Sequence, residues 1–322
     1  MPSGSSIADV TPANPHQKLS RSGLLYGFGA YGLWGMFPLY FLTLLPASPF
    51  EIVSYRIIFS LLFCVLLLTI TRGWRRYVAL LRQRRILFTL ALAGVLIYLN
   101  WQIFIIAVVT GQVLESSLGY FINPIFTVVL GVTVLKEKLR PLQWVAVGIS
   151  FVAVLVLTVS YGKLPWISLA LAASFGLYGL IKKRVGPKVD AVSGLTMETM
   201  WVLPIAVIQL IIVGNLVGLS FLGFGAGHTL LLMSSGILTA LPLLLFAASA
   251  KRLPLTAIGL IQYSTPVVTF LLALFVLNEE MPSSRWAGFI LIWVSLSVLT
   301  VDMFRAARVS RLARAALGAT LG

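Results

Sequence analysis

Ten apolar stretches, each long enough to cross a bilayer as a helix, constrain this chain more than any other feature. They run approximately over 22–44, 50–71, 86–109, 113–135, 142–160, 165–184, 195–213, 229–249, 255–277 and 286–303. A helix needs about 20 apolar residues to span the hydrocarbon, and only helices or closed barrels satisfy their backbone polar groups there. The runs are continuous, without strand-like alternation, which excludes an outer-membrane barrel. Composition agrees: 59% of residues are apolar and 10% charged, against about a quarter charged in soluble domains. The expected fold is all-α and integral to the membrane, with ten transmembrane helices.

The formal charge of +15 would suggest nucleic acid if it were gathered on one folded face. Instead the basic residues form short clusters between the apolar runs. With a cytoplasmic N-terminus, only Lys163 and Arg285 of the 24 basic residues fall on the outer side, and Arg56 falls within the membrane. That bias places both termini in the cytoplasm of a bacterial inner-membrane protein. Residues 1–19, rich in Pro, Ser, Asn and Ala, read as a disordered tail. The apolar run that follows is too long for a signal-peptide core and has no obvious cleavage site, so it is expected to be retained.

A repeat lies at an offset of 142 residues. NPIFTVVLGVTVLKEKLRPLQW from Asn123 aligns without a gap to TPVVTFLLALFVLNEEMPSSRW from Thr265, matching Pro124 to Pro266, Thr127 to Thr269, Glu137 to Glu279 and Trp144 to Trp286. Five helices separate equivalent positions, an odd number, so the copies cross in opposite directions. The charges agree: Lys136 to Arg140 is basic, as an inner loop should be, and Asn278-Glu279-Glu280 is acidic. Inverted repeats of this kind are a secondary-transporter architecture. The expected organisation is a tail over 1–19, a first five-helix repeat over 20–160, a second over 161–304 and a basic cytoplasmic tail over 305–322.

Several motifs resemble the drug/metabolite transporter superfamily with two EamA-type repeats, and within it the RarD subfamily, whose members are described as chloramphenicol-sensitivity permeases. They are Gly27-Phe28-Gly29-Ala30-Tyr31, Trp34-Gly35 and Pro38-Leu39-Tyr40; Glu51, Arg56 and Trp74; Asn100-Trp101; and Glu115-Ser116-Ser117-Leu118-Gly119-Tyr120-Phe121-Ile122-Asn123-Pro124. The resemblance covers roughly residues 20–305. It implies ten helices, cytoplasmic termini, a cavity between the halves and movement of small organic solutes, with export the favoured direction.

Within that frame, Pro124 and Pro266 are candidate helix breaks at equivalent positions. Proline frees backbone carbonyls near the bilayer centre, and paired interruptions mark substrate sites in transporters; packing kinks are the alternative. Arg56 lies about two turns into its helix from the outer face, where an unpartnered charge costs roughly 2.5 kcal/mol or more. Glu115, at the same outer level, is the preferred partner, with a substrate carboxylate or phosphate as competitor. Glu51 is five residues from Arg56 and off the facing stripe. Asn100, Trp101, Tyr120, Asn123 and Gln262 complete the candidate cavity, although polar residues of this kind also join helices through hydrogen bonds. Glu115 and Glu198 are candidate proton carriers, with interfacial solvation the alternative for Glu198; Asp302 is expected to face the headgroups.

Gly27, Gly29 and Gly32 spell GxGxxG, but inside an apolar helix and without a βαβ unit the spacing reads as close helix packing. No Walker A sequence, HExxH or cysteine cluster occurs; Cys64 is the single cysteine, and His16 and His228 stand apart from the apolar runs. No catalytic residue, metal or cofactor is expected. The partners are a small-molecule substrate and the bilayer, not nucleic acid; the sequence carries no mark of oligomeric state. Two rivals remain: a membrane scaffold or sensor, with polar groups scattered over helix contacts, and an intramembrane enzyme, for which Ser116 and Ser117 beside Glu115 lack a neighbouring base.

Overall fold

The computed structural model describes residues 20–320 apart from 137, 186–187, 251, 254–257 and 259–260. The tail over 1–19, with Lys18, and the residues Glu137 and Lys251 lie outside the described residues.

Eleven helices form the described residues, with no strand: α1 Arg21–Leu42, α2 Pro49–Ile70, α3 Trp74–Leu81, α4 Arg84–Val109, α5 Val113–Leu135, α6 Pro141–Tyr161, α7 Trp166–Val185, α8 Ala191–Leu216, α9 Gly225–Ala250, α10 Ser264–Phe275 and α11 Ser283–Thr320. Seven of them, α2, α4, α5, α6, α8, α9 and α11, are long and apolar enough to cross a membrane, and the apolar parts of α7 and α10 are shorter. Large apolar side chains point outward along the bundle, with Val159 83% exposed and Leu216 and Phe275 close behind. Water would penalise such a surface at about 25 cal/mol per Å², whereas lipid does not. The chain is a multi-pass membrane protein.

Two elements differ from the sequence expectation. The short helix α3 turns Tyr77 and Leu80 inward and keeps Arg75 and Arg76 exposed, an amphipathic pattern too brief to register as an apolar run. Helix α11 continues through the expected tail to Thr320.

Proline positions also differ in detail. Helix α5 stays helical across Pro124, while the Thr127 hydroxyl donates to the Asn123 carbonyl beside it at 2.9 Å. In membrane helices, hydroxyl side chains and neighbouring helices make such a proline tolerable. Pro266 sits in the first turn of α10, directly after the turn at Gln262–Tyr263. An amide hydrogen there would have no intrahelical acceptor anyway. The backbone interruption therefore falls before Pro266 and has no counterpart at Pro124.

Helix packing runs mostly between the front part of the chain and the back part: α2 on α8 and α9, α1 on α9 and α10, α4 on α7 and α8, α5 on α7 and α10, and α6 on α11. Lipid gives helices no hydrophobic reason to associate, so close contact depends on small residues. A Cβ on Gly94 would lie 2.7 Å from the Glu198 carbonyl oxygen, one on Gly236 2.3 Å from the Phe59 carbonyl carbon, and one on Gly288 2.2 Å from Leu157. In α1, Gly27 lies against Ser249 in the same way, whereas Gly32 has open space, so the GxGxxG spacing serves packing at only part of its length.

Candidate functional site

Arg56 anchors the most unusual polar environment in the bundle. Its helix starts with Ser48 accepting the Glu51 amide hydrogen at 3.1 Å, which fixes the register of α2 and carries Arg56 inward to a side chain only 4% exposed. The Nε atom donates to the Thr239 hydroxyl of α9 at 2.8 Å. Three rings surround the guanidinium carbon: Trp101 of α4 at 4.2 Å, and Phe41 and Phe37 of α1 at 5.4 and 5.5 Å from their centroids. A desolvated cation gains about 2 kcal/mol or more from a well-placed aromatic face. Tyr40 and Tyr120 stand nearby, each with its hydroxyl already engaged, to the Leu231 carbonyl at 2.6 Å and the Asn100 side chain at 3.2 Å.

Of the sequence candidates, Arg56, Trp101, Asn100 and Tyr120 come together here. Asn100 donates to the Leu171 carbonyl at 3.2 Å and to Ser174 at 3.0 Å, so its amide joins α4 to α7 as well as lining the site. Asn123 lies further along α5, with its buried Oδ1 unpaired among the described residues and close to Gly176 of α7. Gln262 stands in the turn before α10 and is not among the contacts of Arg56. Sequence reasoning missed Thr239, Phe37 and Phe41. Thr239, a hydroxyl in the apolar run of α9, was the available signal.

Glu115 does not partner Arg56. Its Oε1 accepts the Ile167 amide hydrogen at 3.1 Å, and its carbonyl accepts the Ser168 hydroxyl at 2.6 Å, tying α5 to the start of α7. Equal depth put the two residues at one level, but depth does not fix which side of a helix faces which neighbour. Glu115 instead lines a cavity of about 300 Å³ with Gln112, Lys163, Glu279 and Arg285. Glu279 caps α5, accepting from Val113 at 2.6 Å and Leu114 at 2.8 Å. Burial pushes its carboxyl above the ordinary range, a shift that these two hydrogen bonds and nearby Arg285 partly offset. Glu51 performs a related task at the same end of the bundle, accepting from the Ser220 and Phe221 amides at 2.8 and 3.0 Å.

At the opposite end, Glu198 is 1% exposed and pairs with Lys182 of α7 at 2.6 Å while accepting from the Tyr178 hydroxyl at 3.1 Å. It is an internal ion pair, not an interfacially solvated carboxylate. Asp302 is likewise withdrawn from the headgroups by Arg140, whose Nε donates to Oδ2 at 2.8 Å.

The site is thus a buried cation ringed by aromatic faces inside a polytopic membrane bundle, with carboxylates tying its connections at one end. The comparisons with known proteins specify the class. The model of the EamA-like transporter family matches residues 21–159 and 164–301, and the chain belongs to that family. It is similar to Protein RarD of Streptomyces exfoliatus, 47% identical over 90% of this chain and 92% of that one. It is also similar to the uncharacterized transporter YojE of Bacillus subtilis, 41% identical over 91% and 98%. A solved crystal structure with a TM-score of 0.55 covers 88% of this chain and 99% of its own at 17% identity, a likeness of fold alone.

Proposed function

We propose that this chain is a secondary transporter of small organic metabolites or drugs that exposes the Arg56 cluster alternately to the two sides of the membrane, with export as its working direction. The observation that carries the reading is the buried Arg56 guanidinium. It lies where α1, α2 and α4 of the first half meet α9 of the second, so any movement of one half against the other changes its surroundings. A scaffold would have scattered its polar groups; here Arg56, Trp101, Tyr120 and Asn100 converge.

The proposed architecture is two inverted five-helix repeats, residues 20–160 and 161–304, with both termini in the cytoplasm and α3 lying at the interface. Equivalent contacts support it. Val268 and Thr265 lie 142 residues after Phe126 and Asn123. A Cβ on Gly35 would touch Val268, with the Thr265 carbonyl next, and one on Gly176 would touch Phe126, with the Asn123 side chain next. In the same way Gly94 packs on α8 at Glu198, and Gly236, 142 residues later, packs on α2 at Phe59. Exchanging the halves maps the Gly176 contact onto that of Gly35, and sends Gly94 on α8 to Gly236 on α2, where the contact falls at Phe59, one turn beyond the counterpart of Glu198.

Proton coupling through Glu198 or Glu115 is part of the proposal. Glu198 has both a proton acceptor's burial and a partner, Lys182, that reaches the surface, being 30% exposed. The experiment is flux of a metabolite and drug panel into and out of proteoliposomes, with and without an imposed pH gradient. Saturable flux absent from empty liposomes, and reduced at least about tenfold in Arg56→Gln, is expected. Absence of protein-dependent flux in either direction for the whole panel rejects the transport reading. Unchanged gradient dependence in both Glu115→Gln and Glu198→Gln rejects the coupling.

A further inference from the structure

The two halves build one cluster twice, and only one copy contains its counter-ion. Helix α2 is capped by Ser48 and helix α8 by Asp190, 142 residues later. Arg56 and Glu198 are the eighth residues of those helices, again 142 apart. Between α1 and α7 the register is 141, as Gly35 and Gly176 demonstrate by touching equivalent residues. On that register Tyr178 corresponds to Phe37 and Lys182 to Phe41. Glu198 is bonded by Tyr178 and Lys182; Arg56 is flanked by Phe37 and Phe41. Where the second half supplies a charge, the first supplies a phenyl ring.

Arg56 is therefore a buried cation without an internal anion among the described residues. Its one hydrogen bond there uses Nε and Thr239. A guanidinium carries five N–H donors in a fixed planar fork that matches a carboxylate, and leaving a buried charge unpaired is costly. Trp101 covers a face of the group at 4.2 Å, leaving the edge of the fork as the place for an acceptor.

Resting on the transport reading above, we propose that the substrates are small aromatic anions: a carboxylate takes the fork of Arg56, bringing the counter-charge that Lys182 supplies in the other half, and an aromatic body lies against Trp101, Phe37 and Phe41. Arg56 selects by charge and the rings by shape. Arg56→Lys keeps the charge and loses the fork.

The test measures binding, not flux, so the transport reading can fail separately. The full-length protein in nanodiscs is titrated with radiolabelled phenylacetate, and phenylacetamide, phenethylamine and acetate are used as competitors. Phenylacetate is expected to bind saturably, and each competitor, lacking either the negative charge or the ring, at least about tenfold more weakly. Arg56→Gln should weaken phenylacetate by about tenfold or more and Arg56→Lys by less. Phe41→Glu, which gives Arg56 an internal carboxylate, should match Arg56→Gln, whereas Phe41→Leu, which removes one of three rings and adds no charge, should lose less. If a variant fails to fold, the ligand series on the wild type decides alone. No saturable phenylacetate binding, equal binding of the amide or amine, or undiminished binding to folded Arg56→Gln overturns the proposal. Binding without flux counts against the transport reading only.

Discussion

The guanidinium carbon of Arg56 lies 4.2 Å from the ring centroid of Trp101, joining α2 to α4 through a cation and an aromatic face. A contact of this kind contributes from about 0.5 kcal/mol where exposed to about 2 kcal/mol or more where desolvated. Trp101→Leu also removes the face proposed for the substrate ring, an aromatic pair of about 0.5–1.5 kcal/mol, and should weaken substrate affinity by about twofold to tenfold, and Trp101→Phe by less. Equilibrium binding to the two variants checks this; equal losses would assign the effect to packing instead of the ring.

The Lys182–Glu198 pair should be unforgiving of single changes. Glu198 is almost fully buried, so Lys182→Met leaves a charge without compensation, at a cost of about 3–5 kcal/mol when such a pair is broken. With Lys182 partly exposed, the lower end is expected. The double variant Lys182→Met/Glu198→Gln should recover most of the loss. Thermal unfolding in detergent measures all three, and a double variant as unstable as the single one contradicts the pairing.

Gly236 should tolerate no side chain. Its added Cβ would sit 2.3 Å from the Phe59 carbonyl carbon, a backbone atom that cannot turn aside, and overpacking typically costs about 1–3 kcal/mol. Gly94→Ala should behave similarly, since its Cβ would meet the Glu198 carbonyl. Gly148→Ala is the control, with open space around it. Melting temperatures of the three variants, ordered with Gly148→Ala highest, are the expected outcome.

Glu279 gives a pH dependence with a definite sign. Its position between α10 and α11 is outside the spanning helices, and burial raises its folded pKa. Its contribution to stability is then fully present below the unfolded pKa, about 4.3, and is lost as pH rises through the folded value. The wild-type melting temperature relative to Glu279→Gln, which cannot titrate, should fall as pH is raised from about 4 and level off above the folded pKa. A difference that grows with pH reverses the assignment.

The apolar runs were legible because lipid requires them, and nine of the described helices coincide with the central parts of expected runs, with α10 beginning later than its run. Helix α3 was hidden because two inward residues, Tyr77 and Leu80, make too short a pattern. In the site, Arg56 stood out as a lone charge in α2, and Trp101, Asn100 and Tyr120 as its neighbours in resembling motifs. Its hydrogen-bond partner did not, because Thr239 is 183 residues away and sequence gives depth along a helix without giving the facing side. The same gap separated Glu115 from Arg56 and Asp302 from the headgroups. The repeat at Asn123 and Thr265 was readable, but the correspondence of Phe41 with Lys182 needs the contacts of Gly35 and Gly176 to set the register between α1 and α7.

Alternating exposure of the Arg56 cluster is the central claim, and accessibility beside Arg56 tests it most directly. Cys64, the only cysteine, is replaced by Ser, and Thr239→Cys places a thiol at the Arg56 side chain. A membrane-impermeant thiol reagent is then applied to right-side-out and to inside-out vesicles. Labelling from both sides, with substrate protecting in each case, is the expected result. Labelling from one side only, whatever substrate is present, contradicts the account.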